Sequence, residues 1–249
     1  MQLNIVVLIK QILDIDQLKI DSSTGEPILQ NVPLKVENLS KNAIEAAVQL
    51  KEKNGGKVTG IIFGTDKSGS AMKEAYAMGV DEGHLIQGYK GNNPALTANI
   101  LSKKIKELGN VDCVILGNQS ADSYTGLLPG MISNILGVPL LGNGSSIEAD
   151  GDGFKIRRVL EEKDEIVRAQ KPCVISVTQE INQPRLPPVL QIMAAGRKPI
   201  NSSNAEDASF ETPKILSNRA PKSERKRQIF EDIEKGIAEI TKVIKGEIK

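Results

Sequence analysis

The chain has 249 residues, of which 39% are hydrophobic and 25% charged, a balance typical of a globular protein rather than a disordered or membrane-embedded one. A net charge of +1 and an aromatic content of 3% provide neither a basic surface nor a stacking platform for nucleic acid, and no attraction to an anionic membrane. The first apolar run, residues 4–9, is too short for a signal sequence, and no run reaches the roughly 20 apolar residues of a membrane span. The sequence therefore predicts a cytoplasmic protein with one large domain and an appendage.

Apolar, β-rich runs alternate with segments of helical spacing along most of the chain. The predicted strands are residues 4–9, 57–63, 83–88, 111–117 and 173–178. The predicted helices are residues 41–53 with Ser40 as N-cap, 68–78, 94–108 beginning at Pro94, and 125–136. The strands are apolar almost throughout, as strands covered on both faces are, so the alternation predicts a doubly wound α/β fold with a mainly parallel sheet.

The last third of the chain departs from this alternation. Gly151 and Gly153 predict a small β-hairpin insertion before the last core strand. Beyond Pro199 the spacing has no sustained period, which predicts an extended arm, and a helix resumes from Ser223. Its apolar stripe consists of Ile229, Ile233, Ile237, Ile240 and Ile244. The stripe packs either on its own domain or on a partner subunit, and the predicted division is an α/β domain over residues 1–195 and an arm with its helix over residues 196–249.

Residue types that carry chemistry are sparse. Cys113 and Cys173 lie in strand-like runs without metal-ligand spacing, so we expect buried, reduced thiols. His84 is the only histidine and stands at the start of a strand, while the acidic run over residues 161–165 is typical of a solvated turn. No convergent carboxylates or histidine indicate general acid-base catalysis. The sequence therefore predicts no catalytic residue and no metal site.

One stretch, "GNQSADSYTGLLPG" at residues 117–130, passes from a predicted strand into a predicted helix. Ligands of open α/β sheets bind beyond the carboxyl ends of strands, and a helix start offers free N–H groups to a phosphate. The stretch matches neither the dinucleotide fingerprint nor the Walker loop, so on its residues alone an anion site and a plain structural turn both remain open. A nucleotide cradle without catalytic machinery favours a carrier over a hydrolase.

Several motifs resemble those of the beta subunit of electron-transfer flavoproteins. The segment "INQPRLPPVLQIMAAGRKPI" at residues 181–200 resembles the family's Asn-x-Pro-Arg-x-Pro signature, and the stretch after residue 117 resembles its Gly-x-Gln-x-x-Asp-x-x-Thr-Gly loop. The runs "NIVVLIK", "NAIEAAVQLKEK" and "AMGVDE" follow in the expected order. "KNAIEAAVQLK", "INQPRLP" and "APKSERKRQI" are similar to the Fix-type branch, whose members bifurcate electrons.

The resemblance implies an adenine-nucleotide-binding α/β sheet whose C-terminal arm and helix embrace an alpha subunit. It also implies a nucleotide on this chain, FAD in bifurcating members and AMP in ordinary ones, with NADH as a possible substrate and a quinone, ferredoxin or flavodoxin as acceptor. The matching nucleotide positions are Leu8, Lys10, Phe63, Gly64, Asp122, Thr125, Gly126, Leu127, Leu128, Pro129, Gly130 and Met131. A loop around Val189 and Leu190 would insert an apolar side chain into the partner, a dehydrogenase or quinone oxidoreductase.

Two departures limit what the resemblance carries over. The family's Asn-Pro-Tyr before the first helix is replaced by residues 37–39, Glu-Asn-Leu, so adenine or ribose contacts from that turn are not assigned. Leu127 replaces the glutamine of the phosphate loop, so a glutamine contact is not assigned either. Three alternatives stay open: a single-flavin carrier holding a structural AMP, an ATP-using ligase, and a stress-type nucleotide-binding homodimer. The ligase lacks its Ser-Gly-Gly-x-Asp-Ser loop here, and the homodimer would not need the arm.

Overall fold

The structure is a computed structural model that describes residues 2–91, 93–206, 214–221 and 227–247. It consists of two compact units. One comprises Met1–Leu18 and Leu29–Leu216, and the other comprises Lys19–Ile28 and Ser217–Lys249. The division expected at residue 195 stays a prediction.

Strands and helices follow one another through most of the described chain. The first strands are β1 (Leu3–Leu8), β2 (Gln11–Leu13), β3 (Lys19–Ile20), β4 (Pro27–Ile28) and β5 (Leu34–Val36). They are followed by α1 (Asn38–Asn54), β6 (Gly56–Gly64), α2 (Gly69–Met78), β7 (Glu82–Gln87), α3 (Pro94–Leu108), β8 (Cys113–Gly117) and α4 (Leu128–Leu136). The last elements are β9 (Leu140–Asp150), β10 (Gly153–Val159), β11 (Asp164–Gln170), β12 (Cys173–Val177), α5 (Val189–Ala195), β13 (Asn201–Asn204) and α6 (Ile233–Glu247).

Nine strands form the main sheet, in the order β11-β10-β9-β12-β8-β1-β6-β7-β13. The six neighbouring strands β12, β8, β1, β6, β7 and β13 are all paired in parallel. At the other edge β9, β10 and β11 form an antiparallel meander. The adjacent residues Ile61 and Ile62 of β6 face opposite sides, because side chains alternate along a strand. Ile62 packs with Ile44 and Met72 of α1 and α2, and Ile61 packs in a second core with Leu101 of α3. The predicted doubly wound α/β fold with its hairpin insertion is thereby confirmed.

The chain reverses its direction of travel across this sheet at β1. From β1 it proceeds to β6 and β7 on one side, and β8 then returns to the other side of β1. The loops that leave the carboxyl ends of β1 and β8 therefore diverge and flank a crevice. Such a switch point is where open α/β sheets bind their ligands.

Several predicted helix starts are wrong. Helix α1 begins at Asn38, because Glu37 rather than Ser40 is the cap, its carboxylate accepting from the Ser40 N–H at 2.8 Å. Helix α4 begins at Leu128 rather than residue 125, since Gly126 has a left-handed φ of 61°. Helix α6 begins at Ile233. The predicted start at Ser223 lies outside the described residues, and Ile229 precedes the helix.

Several short elements are absent from the sequence-based prediction, namely the strands β2 to β5, the helix α5 and the strand β13. Residues 189–195 form the helix α5 where a loop was expected, and Ala195 at its end is buried. Beyond Pro199, where an extended arm was expected to begin, the exposed strand β13 pairs in parallel with β7 and extends the sheet. Its sequence NSSN has no apolar period, so only the backbone pairing reveals it.

The cysteines and the histidine are placed as the sequence predicts. Cys113 and Cys173 are free and buried, and they are register partners on the neighbouring strands β8 and β12. Burial raises the pKa of the Cys173 thiol to about 12. His84 lies within β7 with Nε2 3.1 Å from Glu82 Oε1, and burial lowers the pKa of its imidazole. Residues 161–163 of the acidic run lie in the exposed connection between β10 and β11, and Glu165 of β11 accepts from Arg158 Nε at 2.8 Å.

Candidate functional site

Lys10 connects both sides of the crevice at the switch point. Its backbone N–H donates to Ser40 Oγ at 3.0 Å, and its carbonyl accepts from the Glu37 N–H at 2.9 Å, so the start of α1 is fastened to the end of β1. Its ammonium reaches the loop after β8, where it donates to Ser120 Oγ at 3.0 Å and to Asp122 Oδ1 at 2.7 Å. Both charged side chains are about one-third exposed, at 31% and 34%. The cation is therefore held in the crevice and remains accessible from solvent.

The loop after β8 is a compact polar turn. The Ser120 carbonyl accepts from the N–H groups of Ser123 and Tyr124 at 3.2 and 2.9 Å, and Ser120 Oγ donates to Asp122 Oδ1 at 2.7 Å. The turn is attached to the sheet by the Asn118 N–H, which donates to the Val177 carbonyl at 3.0 Å. Hydroxyl groups and one carboxylate thus gather around the Lys10 ammonium.

Helix α4 starts directly after this turn with open backbone groups. Leu127 is its N-cap and makes no side-chain cap hydrogen bond in the described part of the chain. The N–H groups of Leu128 and Gly130 point out of the first turn without an intrahelical acceptor, while Pro129 has none to offer. A Cβ built on Gly130 would meet no atom within 4 Å in the described residues. The backbone at Gly130 can therefore be approached closely by a ligand, and the helix dipole favours an anion there.

Gly126 has a different reason to be glycine. Its φ of 61° is left-handed, and a Cβ would lie 3.7 Å from the Asn118 carbonyl oxygen, an ordinary contact. Glycine is therefore favoured at this position by the backbone conformation, since there is enough room for a Cβ. Asn118 itself carries a buried Oδ1 that has no hydrogen-bond partner among the described residues.

Five apolar residues among the predicted nucleotide-binding positions have buried or half-buried side chains. Leu8, Phe63, Leu128 and Met131 contribute to the core beneath α3 and α4, and Pro129 is buried as well. They can meet a ligand mainly through the backbone. By contrast, Thr125 and Leu127 are exposed.

Gly64 is explained by packing within the chain. A Cβ there would lie 2.3 Å from Ser68 Oγ, and the Gly64 carbonyl accepts from the N–H groups of Gly88 and Tyr89 at 3.1 and 3.0 Å. Phe63 meets Tyr89 edge-on, with ring centroids 5.4 Å apart. Both glycine and phenylalanine belong to β6, on the side of β1 away from β8. The structure therefore brings Lys10 and Asp122 together in the loop that leads to α4, and places Phe63 and Gly64 one strand away.

The turn before α1 lies against the end of β8. A Cβ on Gly117 would come within 2.7 Å of Leu39 Cβ, so glycine permits this close approach. The Glu37 carboxylate is buried and occupied as the helix cap. This turn thus serves the local structure, consistent with its departure from the family pattern.

Sequence reasoning missed Ser40 and Ser120 as parts of the site. Ser40 acts as an acceptor for a residue 30 positions away, and Ser120 bridges Lys10 and Asp122. The Ser-x-Asp-Ser spacing of residues 120–123 is typical of a side-chain-stabilised turn and could have indicated the second.

Two apolar surfaces are candidates for partner binding. The first is the docking segment, residues 186–193, in which Leu186, Val189 and Leu190 are 93%, 71% and 79% exposed. The second is the isoleucine stripe, residues 229–244, in which Ile229 and Ile240 are 91% and 55% exposed. Its other members, Ile233, Ile237 and Ile244, are also more than half exposed. Neither surface is covered within the described chain.

The described residues include no helix with the length and apolar content that crossing a membrane requires.

Comparisons with known proteins agree with the resemblance found in the sequence. A family profile described as "Electron transfer flavoprotein domain" matches residues 28–208. The "Electron transfer flavoprotein subunit beta" of Thermoanaerobacterium thermosaccharolyticum is 32% identical over 240 residues, covering 92% of each chain. That of Clostridium acetobutylicum is also 32% identical, covering 90% of this chain and 87% of its own. The "Caffeyl-CoA reductase-Etf complex subunit CarD" of Acetobacterium woodii is 30% identical, with 88% and 85% covered.

Proposed function

The chain belongs to the electron transfer flavoprotein family, as a beta subunit, and on that premise we propose that it carries an adenine nucleotide in a heterodimer with an alpha subunit. The heterodimer passes electrons between NADH or a dehydrogenase and a quinone, ferredoxin or flavodoxin acceptor. The cytoplasmic location stays a prediction.

The observation that carries the nucleotide assignment is the position of the Lys10 ammonium. It lies 2.7 Å from Asp122 Oδ1 at the switch point, in the loop that leads from β8 to α4. A phosphate group would find there a cation, hydroxyl donors and the free N–H groups of Leu128 and Gly130. Such a donor set suits the pyrophosphate of a dinucleotide or the phosphate of AMP.

We further infer that the nucleotide is FAD and that the complex bifurcates electrons from NADH. The support is the similarity to the Fix-type branch together with the relationship to a subunit of the Caffeyl-CoA reductase-Etf complex. A hydride donor that feeds two one-electron routes requires a second flavin within its reach. The alternative is AMP as a structural group in a single-flavin carrier.

This chain's own residues would bind and orient the cofactor. The redox chemistry is that of the flavin, and the protein supplies the geometry and electrostatics around it. In the crevice the Lys10 ammonium and the hydroxyls of Ser120 and Ser123 can donate to phosphate oxygens, and the Asp122 carboxylate orients the ammonium.

The nucleotide assignment is tested by Lys10→Met in the heterodimer. The methionine keeps an unbranched stem and removes the charge, so we expect nucleotide affinity to fall about tenfold or more. The matched control is Lys73→Met, which changes an exposed lysine on α2. Isothermal titration with FAD and with AMP measures the affinities. Equal affinities in the two variants would contradict the assignment of the crevice as the nucleotide site.

A further inference from the structure

The Arg185 guanidinium lies between two carboxylates of α1. Its Nε and Nη2 donate to the two oxygens of Glu45 at 2.8 and 3.0 Å, and its Nη1 and Nη2 donate to those of Glu52 at 2.7 and 3.0 Å. The Arg185 backbone N–H adds a bond to Glu45 Oε2 at 3.2 Å. Both carboxylates are therefore bound in the paired, planar manner that only an arginine can provide.

The ion pair between Arg185 and Glu45 differs from a surface ion pair because Glu45 is nearly buried. Its side chain is 5% exposed, whereas that of Glu52 is 53% exposed. Burial alone would raise the pKa of Glu45, but the hydrogen bonds from Arg185 outweigh it and the pKa lies below its usual value. A carboxylate kept charged in a nearly buried position requires its partner, so Arg185 has little freedom to leave.

A second connection lies three residues earlier. Asn42 of α1 donates from Nδ2 to the Asn182 carbonyl at 2.9 Å, and Asn182 Nδ2 donates back to the Asn42 carbonyl at 3.0 Å. Asn42 is 2% exposed. The chain that enters the docking segment is thus fastened to α1 at residues 182 and 185.

The chain that leaves the docking segment is fastened to the other helix on the same face of the sheet. Tyr76 of α2 donates its hydroxyl to the Pro199 carbonyl at 2.6 Å, and Lys198 Nζ donates to the Val80 carbonyl at 3.1 Å. Ala195 is buried in the core. Between these fixed ends the apolar side chains of residues 186–193 remain exposed.

We propose that Arg185, held by Glu45 and Glu52, is a positioning residue that fixes the orientation of the docking segment for its electron-exchange partner. The proposal rests on the proposed function, since it assumes that a dehydrogenase binds this segment. A segment ordered before binding loses less conformational entropy on association, so fixing it tightens the complex without changing the electron-transfer step. Pro187 and Pro188 restrict the same segment further.

The test compares Arg185→Met with Arg158→Met in the intact heterodimer. Both arginine side chains are 33% exposed and both bind glutamate, but Arg158 lies in the β10–β11 hairpin. The kinetic probe is the dehydrogenase with which the wild-type heterodimer exchanges electrons. For Arg185→Met we expect an unchanged cofactor content, an unchanged kcat and a KM for the dehydrogenase about tenfold higher. Amide exchange of α5 becomes faster, whereas Arg158→Met leaves all four readouts at the wild-type level.

Two further variants separate positioning from folding. Arg185→Lys restores a single charge without the planar fork, so its KM lies between those of the wild type and Arg185→Met. Glu52→Gln weakens the exposed half of the clamp without leaving a buried charge unpaired, and its KM rises about threefold. If Arg185→Met disrupts the heterodimer, Glu52→Gln decides the question.

Some results would overturn the proposal. These are a KM equal to that of Arg158→Met, unchanged amide exchange in α5, or a fall in kcat with unchanged KM. A wild-type heterodimer that exchanges electrons with no dehydrogenase would overturn the proposed function as well, and that failure is recognised in the wild type before any variant is compared.

Discussion

The sheet and the helix α6 use the same residue type in opposite ways. In the sheet, Ile5 and Ile62 are 1% and 0% exposed, and their apolar surface is satisfied within the chain. In α6, Ile233 and Ile240 are 79% and 55% exposed. Burial of an isoleucine contributes about 1.5–3 kcal/mol, so the helix carries unused stabilisation that association with another surface would recover. The core of the sheet is filled by the chain itself, whereas the isoleucine stripe is exposed in the described chain.

The same contrast separates the crevice around Lys10 from the isoleucine stripe. The crevice around Lys10 is built from hydrogen bonds within one chain, which fix its geometry before any ligand arrives. The isoleucine stripe consists of apolar surface without a cover in the described chain. We therefore expect damage to the crevice to affect cofactor binding alone, and damage to the stripe to affect assembly.

Deleting residues 223–249 should produce the largest effect. We expect it to abolish heterodimer formation, with a loss of at least about 4 kcal/mol, a thousandfold in affinity. Size-exclusion chromatography after co-expression with the alpha subunit measures it. A more specific test is the double variant Ile237→Asp with Ile240→Asp, which places two charges in the isoleucine stripe. Its control is the double variant Glu239→Gln with Lys242→Met, which changes polar side chains of the same helix.

The polar control pair should assemble normally, and circular dichroism should show an unchanged thermal transition of the sheet domain in every variant. A heterodimer of full affinity after the deletion would show that α6 is not part of the interface. The contrast between the two regions would then fail.

The second effect concerns Gly126. A valine there must adopt a φ near 61°, which costs a branched residue about 1–2 kcal/mol and distorts the turn before α4. We expect Gly126→Val to lose the nucleotide of this subunit, a fall in affinity of about tenfold or more, and to retain the flavin of the alpha subunit. Analysis of the cofactors released by denaturation measures both. Retention of the nucleotide would indicate that it binds elsewhere.

Gly130→Ala is the matched comparison. A Cβ at Gly130 meets no described atom within 4 Å, so the variant should fold as the wild type does. Any loss of nucleotide affinity in this variant then reports a ligand close to the backbone. An unchanged affinity would exclude such an approach at Gly130.

A smaller effect is expected from Val189→Asp in the docking segment. The aspartate stands at the first position of α5, where the helix dipole tolerates a negative charge, so the local fold should persist. An apolar anchor replaced by a charge should slow electron transfer to the dehydrogenase about tenfold, with the flavin content unchanged. Stopped-flow absorbance measures the rate, and Gln191→Ala serves as the exposed control. Loss of flavin would mean that the segment is structural.

The smallest effect is the pH dependence of the clamp at Glu45. Hydrogen bonds from Arg185 outweigh burial and hold the pKa of Glu45 below its usual value. A depressed pKa in the folded state gives stability that is present above about pH 4.3 and lost as the pH falls through the folded value. Glu45→Gln should therefore lower the free energy of unfolding by about 1–2 kcal/mol at pH 7. It should also make the free energy of unfolding fall less steeply as the pH drops below about 4.3. Urea titrations at pH 7 and pH 4 test this, and equal losses at both values would contradict it.

Much of the fold was predictable because the signals are local. Helix α3 begins at Pro94, as the sequence predicts, and the structure shows Asn93 as its cap. Strand β6 extends only one residue at each end beyond the predicted 57–63. Such elements are specified by apolar spacing and capping chemistry within a few residues.

The remaining features depend on contacts between distant positions. Strand β13 is polar and exists through backbone pairing with β7. The local sequence predicts Ser40 as a helix cap, but in the structure its hydroxyl accepts a hydrogen bond from the backbone N–H of Lys10. Arg185 and Glu45 are 140 positions apart in the sequence, so no local pattern of charges predicts their ion pair. The family resemblance indicated the nucleotide loop. The contacts of Ser120 with Lys10 and Asp122 could be identified only in the folded structure.

The flavin count of the purified heterodimer after reconstitution with excess FAD tests most directly whether this subunit holds FAD. Absorbance after denaturation gives the flavin, and chromatography of the released nucleotides gives the AMP. We expect close to two flavins per heterodimer, one of them lost in Gly126→Val, together with oxidation of NADH. One flavin and one AMP per heterodimer would contradict bifurcation and identify an ordinary single-flavin carrier.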